Sequence, residues 1–321
     1  MLTINESENE SIKIGISACL LGEKVRFDGG HKNSKYCQQQ LTNFFDFVPV
    51  CPEVAIGLGT PRASIRLVQE QHRIFVRTGD EQHDYTGQLQ AFSEAKVSQL
   101  QQLSGYILCA KSPTCGMERV TVYKSGTNQG SKIGIGIFAQ ELMKQYPLLP
   151  VEEEGRLNDL VIKENFFTRV YAYHDFSTMQ QSGLTIQKLV QFHSRYKYLL
   201  MAHHPVSYRQ LGQLVADREQ AIADNGNQYF TGFMAALKRK ASRKNHTSTL
   251  QHIQGYFKKY LTPQQKAELT EAVLKYHQGL QPLLVPITLI NHYLKEYPNA
   301  YIEQQVYLNP HPESLRLRYA Y

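Results

Sequence analysis

Near Gly155 the chain changes its periodicity, and that change constrains the fold more than any other feature of its 321 residues. Before it, short β-branched or aromatic runs alternate with helical stretches. "IKIGISA", "FDFVPV", "GYILCA" and "ERVTVYK" read as strands, and "SIRLVQ" with "RIFVR" as a hairpin or a pair of exposed strands. Between them, "TGQLQAFSEAKVSQLQQL" sets Leu89, Phe92, Val97 and Leu100 at helical spacing behind a Thr that can cap it, and "IGIFAQELMKQYP" is a helix stopped by Pro147. Strand and helix in alternation predict an α/β domain, Rossmann-like, with a largely parallel sheet. After Gly155 only helical periods remain. "TIQKLVQFHSRYKYLLMAHH" stops at Pro205, "YRQLGQLVADREQAIAD" near "NGN", "YFTGFMAALKRKASRK" at "NH", "PQQKAELTEAVLKYHQG" at Gly279 and "PITLINHYLKEYP" at Pro298. The expected organisation is an α/β domain over 1–155, a connecting helix within 156–183 and an all-α domain over 184–321.

Composition narrows the function classes. Hydrophobic residues make up 42% and charged residues 20%, the balance of an ordinary globular protein. No apolar run approaches the ~18 residues of a membrane-spanning helix. The start, "MLTINESENES", is polar and acidic and lacks the pattern of a signal peptide. The expectation is a cytoplasmic protein with no membrane partner. In a reducing compartment five cysteines are not disulfide staples; metal ligation, catalysis and packing remain. The net charge of +7 is uneven. Residues 1–150 carry 15 Lys and Arg against 14 Asp and Glu, whereas 184–321 carry 17 against 8. A local basic surplus is a footprint for polyanions, nucleic acid foremost, or else a solvated basic surface.

The cysteines sort by position. Cys19 follows "KIGISA" and opens a Gly-rich loop; Cys51 follows "FVPV" with Pro next; Cys115 sits in a Ser-Pro-Thr-Cys-Gly turn. Loops at the carboxyl ends of neighbouring parallel strands converge on one crevice, so three thiols scattered in sequence gather in space. Zinc and iron–sulfur clusters both take such ligands, but zinc sites usually show one close ligand pair, and this set has none. Three ligands on a cubane would leave one iron open to substrate. Cys109 reads as a packing residue within a strand, and Cys37 as incidental. Glu53 lies two residues beyond Cys51 and Ser112 three before Cys115. Each alone reads as a turn or capping residue. Beside a metal centre, a carboxylate can activate water and a serine can relay a proton, which together describe a hydrolytic site.

The segments "ISACLLGEKVRFDGGHK", "VPVCPEVAIGLGTPR" and "SPTCG" resemble the signatures of the thiouracil desulfidase (TudS) family, and "FHSRYKYLLMAHHPVSYRQLG" resembles the helical YbgA-type domain. Their fusion in this order resembles the RudS-type desulfidases that remove sulfur from 4-thiouridine in tRNA. The resemblance implies a 4Fe-4S cluster held by Cys19, Cys51 and Cys115 with one open iron. It also implies catalysis by Glu53 and Ser112, and a helical domain that serves tRNA. The expected reaction converts 4-thiouridine in tRNA to uridine, releasing sulfide without net electron transfer. The target base must be exposed or flipped to reach such a crevice. Two other readings are a desulfidase of free thiouracil and a non-catalytic, cluster-bearing nucleic-acid-binding protein. For tRNA contact the densest basic run stands out: Lys238, Arg239, Lys240, Arg243 and Lys244. Read as one helix, it sets 240, 243 and 244 on a common face. The plainer reading of the run is a solvated helix end whose charges complement the helix dipole.

Overall fold

The structure is a computed structural model that describes residues 11–217, 219 and 221–318. The acidic start of the chain, residues 1–10, which bore on the signal-peptide reading, lies outside the described residues. The chain divides into two compact units, residues 1–158 and 159–321.

The first unit contains β1 (Lys13–Ser17), β2 (Asp46–Val50), β3 (Ile65–Glu70), β4 (Arg73–Thr78), β5 (Gly105–Leu108), β6 (Val120–Lys124), β7 (Gly130–Gly134) and β8 (Val151–Glu153). Its helices are α1 (Pro52–Ala55), α2 (Thr86–Val97) and α3 (Ile137–Gln145). The strands form two four-stranded sheets, ordered β2-β1-β5-β8 and β4-β3-β6-β7. The first is parallel throughout, as alternation of strand and helix requires. The second is mixed: β3 pairs antiparallel with β4 and β6 antiparallel with β7, while β3 and β6 run parallel. Link length explains the difference. Only Gln71 and His72 separate β3 from β4, with Gln71 at φ 53°, and so tight a turn can join only antiparallel strands.

The central strands β1 and β5 are buried almost end to end, as expected of a parallel sheet covered on both faces. Gly15 lies opposite Tyr106, and a Cβ there would fall 2.2 Å from the tyrosine ring. The missing side chain lets Tyr106 lie across β1 and meet Phe138 of α3 with ring centroids 5.7 Å apart. A second apolar cluster of Leu67, Val76, Leu89, Val120 and Val122 ties the mixed sheet to α2.

The second unit is helical: α4 (Leu160–Gln181), α5 (Ile186–His203), α6 (Pro205–Ala216), α7 (Ile222–Lys238), α8 (Arg243–Gln254), α9 (Pro263–Gln278), α10 (Leu284–Glu296) and a single turn, α11 (Ala300–Glu303). Polar side chains start several of them. Asp159 accepts from the amides of Val161 and Ile162, and Thr262 forms a capping box with Gln265. An aromatic cluster fills the interior, with Phe176 stacked on Phe230 at 4.3 Å and edge-on to Phe192 at 5.1 Å. Among the described residues no helix is long and apolar enough to cross a membrane.

Two helix boundaries differ from expectation. The "NGN" triplet lies inside α7 instead of ending a helix. Buried Asn225 donates from Nδ2 to the Leu214 carbonyl (2.7 Å), satisfying the end of α6, and Gly226 leaves room for Leu184. The basic run is not one helix either. Lys238 ends α7, Arg239 and Lys240 lie in the link, and Arg243 and Lys244 open α8. The Arg239 carbonyl bonds His203 Nδ1 (2.6 Å) instead of continuing α7, while Ser242 caps α8 through the Asn245 amide. No common face for 240, 243 and 244 exists across that break. Dipole complementarity applies to Lys238 at the end of α7 and not to Arg243 and Lys244 at the start of α8.

Candidate active site

Adjacent parallel strands deliver their carboxyl ends to one edge, and β2, β1 and β5 are adjacent. After β1 the chain enters a single 3-10 turn, Ala18–Leu21, that carries Cys19. After β2, Cys51 occupies the N-cap of α1, with Pro52 at its first position and Glu53 in its first turn. After β5 the loop 109–116 carries Cys109, Ser112, Thr114 and Cys115. These residues wall one cavity of about 670 Å³, so the structure brings Cys19, Cys51, Cys115, Glu53 and Ser112 together. The basic run 238–244 belongs to the other unit.

Cys109 departs from its expected place. β5 ends at Leu108, so Cys109 stands one residue past the strand and lines the same cavity. Its amide donates to Ser17 Oγ (3.0 Å), and its thiol hydrogen-bonds Cys19. That contact raises the Cys19 thiol and lowers Cys109, because the two share one proton. Cys37, by contrast, is buried in the turn Tyr36–Gln40 and lines no part of this cavity.

The thiols fit a cluster. Burial raises Cys51 and pushes Cys115 up to about 12, so the protein alone disfavours their thiolates and a cationic partner would favour them. Among the described residues no three His, Cys, Asp or Glu side chains converge on a single metal ion. Cys19, Cys51, Cys109 and Cys115 instead line one cavity of about 670 Å³, and thiolates are the ligands that iron–sulfur clusters take.

The polar residues form a chain beside them. Thr114 Oγ1 donates to Glu53 Oε1 (2.8 Å) and lies 2.9 Å from Ser112 Oγ. Ser112 Oγ accepts from the amides of Thr114 (3.2 Å) and Cys115 (3.1 Å). With its lone pairs so engaged, the serine hydrogen is directed to Thr114, giving an ordered path Ser112–Thr114–Glu53. Arg62 closes the far end. Its guanidinium ion-pairs with Glu53 and donates to the carbonyls of Gly59 and Val25, 3.0 Å each. Lys32 pairs with Glu154, whose other oxygen accepts from the Ala110 amide (2.8 Å) and braces the loop after β5. The Phe27 ring, 42% exposed, lies on the cavity wall with the Arg26 guanidinium 5.5 Å from its centroid.

Thr114, Arg62 and Phe27 lie inside the signature segments, yet neither their residue type nor their spacing marks them individually as site residues. A threonine in a Pro-containing turn reads as turn chemistry, and Arg62 reaches Glu53 only because the loop after α1 folds back.

Residues 14–154 match the family described as 2-thiouracil desulfurase, and residues 197–312 the family described as Protein of unknown function (DUF1722). A solved structure described as a 4Fe-4S-dependent thiouracil desulfidase, TudS, is 30% identical over 46% of this chain and 94% of its own, with a TM-score of 0.39. The "Uncharacterized protein YbgA" of Escherichia coli K12 is 36% identical over 154 residues, 47% of this chain and 91% of that protein. By that identity and coverage the chain belongs to the YbgA family, with a first unit that matches the 2-thiouracil desulfurase family.

Proposed function

We propose that this protein is an iron–sulfur-dependent desulfidase that converts 4-thiouridine in tRNA to uridine with release of sulfide. The observation that carries the reading is the Ser112–Thr114–Glu53 chain on the wall of a cavity that also presents Cys19, Cys51 and Cys115. The match of residues 14–154 to the 2-thiouracil desulfurase family supports the class of reaction. Cys19, Cys51 and Cys115 would hold a 4Fe-4S cluster, with Cys109 against Cys19 as a neighbour. Bound there, the cluster would supply an open Lewis-acid iron and a temporary sulfur acceptor.

The protein's own groups move the protons. Glu53, held in place by Arg62 and Thr114, accepts a proton from water as the water oxygen bonds to the thiocarbonyl carbon. As the carbon–sulfur bond breaks, Ser112 turns its hydroxyl to give its hydrogen to the departing sulfur and is reprotonated through Thr114 by the proton held on Glu53. Water and thiocarbonyl become carbonyl and hydrogen sulfide, so no oxidant or reductant is consumed. The exposed Phe27 ring offers a stacking surface for the base. A tRNA substrate accounts for the basic surplus of residues 184–321, for which a free, neutral base has no use. That surplus sets the reading above a desulfidase of free thiouracil alone. The water-activating pair sets it above a non-catalytic cluster protein.

Glu53→Ala and Ser112→Ala test the assignment. Each is expected to keep its iron and sulfide content while turnover falls by roughly 10²-fold or more, the scale of losing a general base. Near-normal turnover in Glu53→Ala removes it as the group that activates water.

A further inference from the structure

Of the four thiols on the cavity wall, Cys109 has no part in the proposed chemistry, yet it touches a proposed ligand. β1 and β5 are neighbours, with Ile16 opposite Ile107, and adjacent strands lie about 4.8 Å apart. Beyond the last paired residues the Cys109 amide donates to Ser17 Oγ (3.0 Å), so the two chains stay joined past the end of β5. Cys19 follows in the turn after β1, and its thiol meets that of Cys109.

Lys32 ties the two loops together. Its amide donates to the Cys19 carbonyl (3.0 Å), and its ammonium donates to the carbonyl of Ala110 (3.4 Å), the residue after Cys109. The other two thiols face different partners. Cys51 Sγ lies 3.9 Å from the Val25 carbonyl, and Cys115 Sγ accepts from Thr114 Oγ1 (3.6 Å). Thiols in contact on adjacent strand ends need little backbone movement to close a disulfide, which requires Cα atoms within roughly 7 Å. Both are free thiols here, and Cys19 is the more accessible of the two from the cavity.

We infer that Cys109 is the redox partner of Cys19: in the cluster-free protein, hydrogen peroxide joins the pair in a disulfide that withholds Cys19 from the cluster until a thiol reduces it. One sulfur displaces hydroxide from the peroxide oxygen–oxygen bond and becomes a sulfenic acid. The second sulfur attacks the first, forming the sulfur–sulfur bond and expelling a second hydroxide. Each hydroxide takes a thiol proton, so two thiols and one hydrogen peroxide give one disulfide and two waters. A disulfide is recovered by thiols and a sulfinic acid is not, so the pairing spares Cys19. The withholding rests on the reading of Cys19 as a cluster ligand; the bond itself does not.

Full-length, cluster-free protein treated with hydrogen peroxide, alkylated and mapped by peptide mass spectrometry tests this. A Cys19–Cys109 cross-link is expected as the main product, and dithiothreitol should return most of Cys19 to the thiol. In Cys109→Ala, with thermal unfolding of the reduced protein as the check on folding, recovery of Cys19 should fall severalfold as sulfinic and sulfonic acids accumulate. A cross-link from Cys19 to Cys51 or Cys115 instead, or none at full loss of thiols, would overturn the inference, as would equal recovery in the variant. Cluster-loaded protein is expected to give no cross-link while its cluster absorbance lasts. A Cys19–Cys109 cross-link formed under an intact cluster would uphold the disulfide while overturning Cys19 as a ligand, and with it the withholding. Absence of the cross-link from cluster-free protein would overturn the disulfide and leave the ligand set standing.

Discussion

Thr114 has one hydroxyl hydrogen and two oxygen neighbours, Glu53 at 2.8 Å and Ser112 at 2.9 Å. It is the only described link between them. Thr114→Val keeps the shape and removes the hydroxyl, so turnover is expected to fall about tenfold or more at unchanged iron content, and Thr114→Ser to restore most of it. Equal activity in the valine and serine variants would break the proposed relay. The cysteines give the companion test. Cys19→Ala, Cys51→Ala and Cys115→Ala should each abolish cluster absorbance, and Cys37→Ala and Cys109→Ala should leave it largely intact. All four of Cys19, Cys51, Cys109 and Cys115 wall the cavity, so the opposite outcome, with Cys109 essential and Cys115 dispensable, would reassign the ligand set. At this scale the position of Glu53 and Ser112 on the cavity wall was legible, because each stands within three residues of a cysteine in a turn that follows a strand. Thr114 and Arg62 were not, because their roles come from loop geometry with no sequence period.

Among the elements, the parallel sheet was legible because its strands are short apolar runs separated by helical periods. The division into two sheets was not. Which strands pair depends on links such as Gln71–His72, whose tightness sequence period does not encode. The link between α7 and α8 was misread for a related reason: Lys, Arg, Ala and Ser continue a helical pattern, and the stop comes from His203, far away in sequence. The five basic side chains around that link are all exposed, so they still offer a phosphate surface, though one bent around a corner. Arg243 is partly committed, with its guanidinium lying against Gly279 at the end of α9. Replacing Lys238, Arg239, Lys240 and Lys244 together with Gln, and sparing Arg243, is therefore expected to weaken tRNA binding tenfold or more and to flatten its salt dependence. Desulfuration of free 4-thiouracil should persist. Unchanged affinity and salt slope would remove this surface as a main contact.

Across the whole molecule, the thiol-lined cavity is built in one unit and the surplus of positive charge in the other. The periodicity changes near Gly155 and the chain divides after residue 158, with α4, expected as a connecting helix between domains, inside the second unit. The central claim is that the two units together serve one reaction on tRNA. It is tested most directly by incubating the cluster-loaded protein anaerobically with tRNA that contains 4-thiouridine, then analysing the nucleosides and the sulfide released. The account predicts one uridine and one sulfide for each 4-thiouridine lost, without added reductant, and none from the Glu53→Ala variant. Intact 4-thiouridine after many equivalents of active cluster, or a strict need for an electron donor, would contradict it.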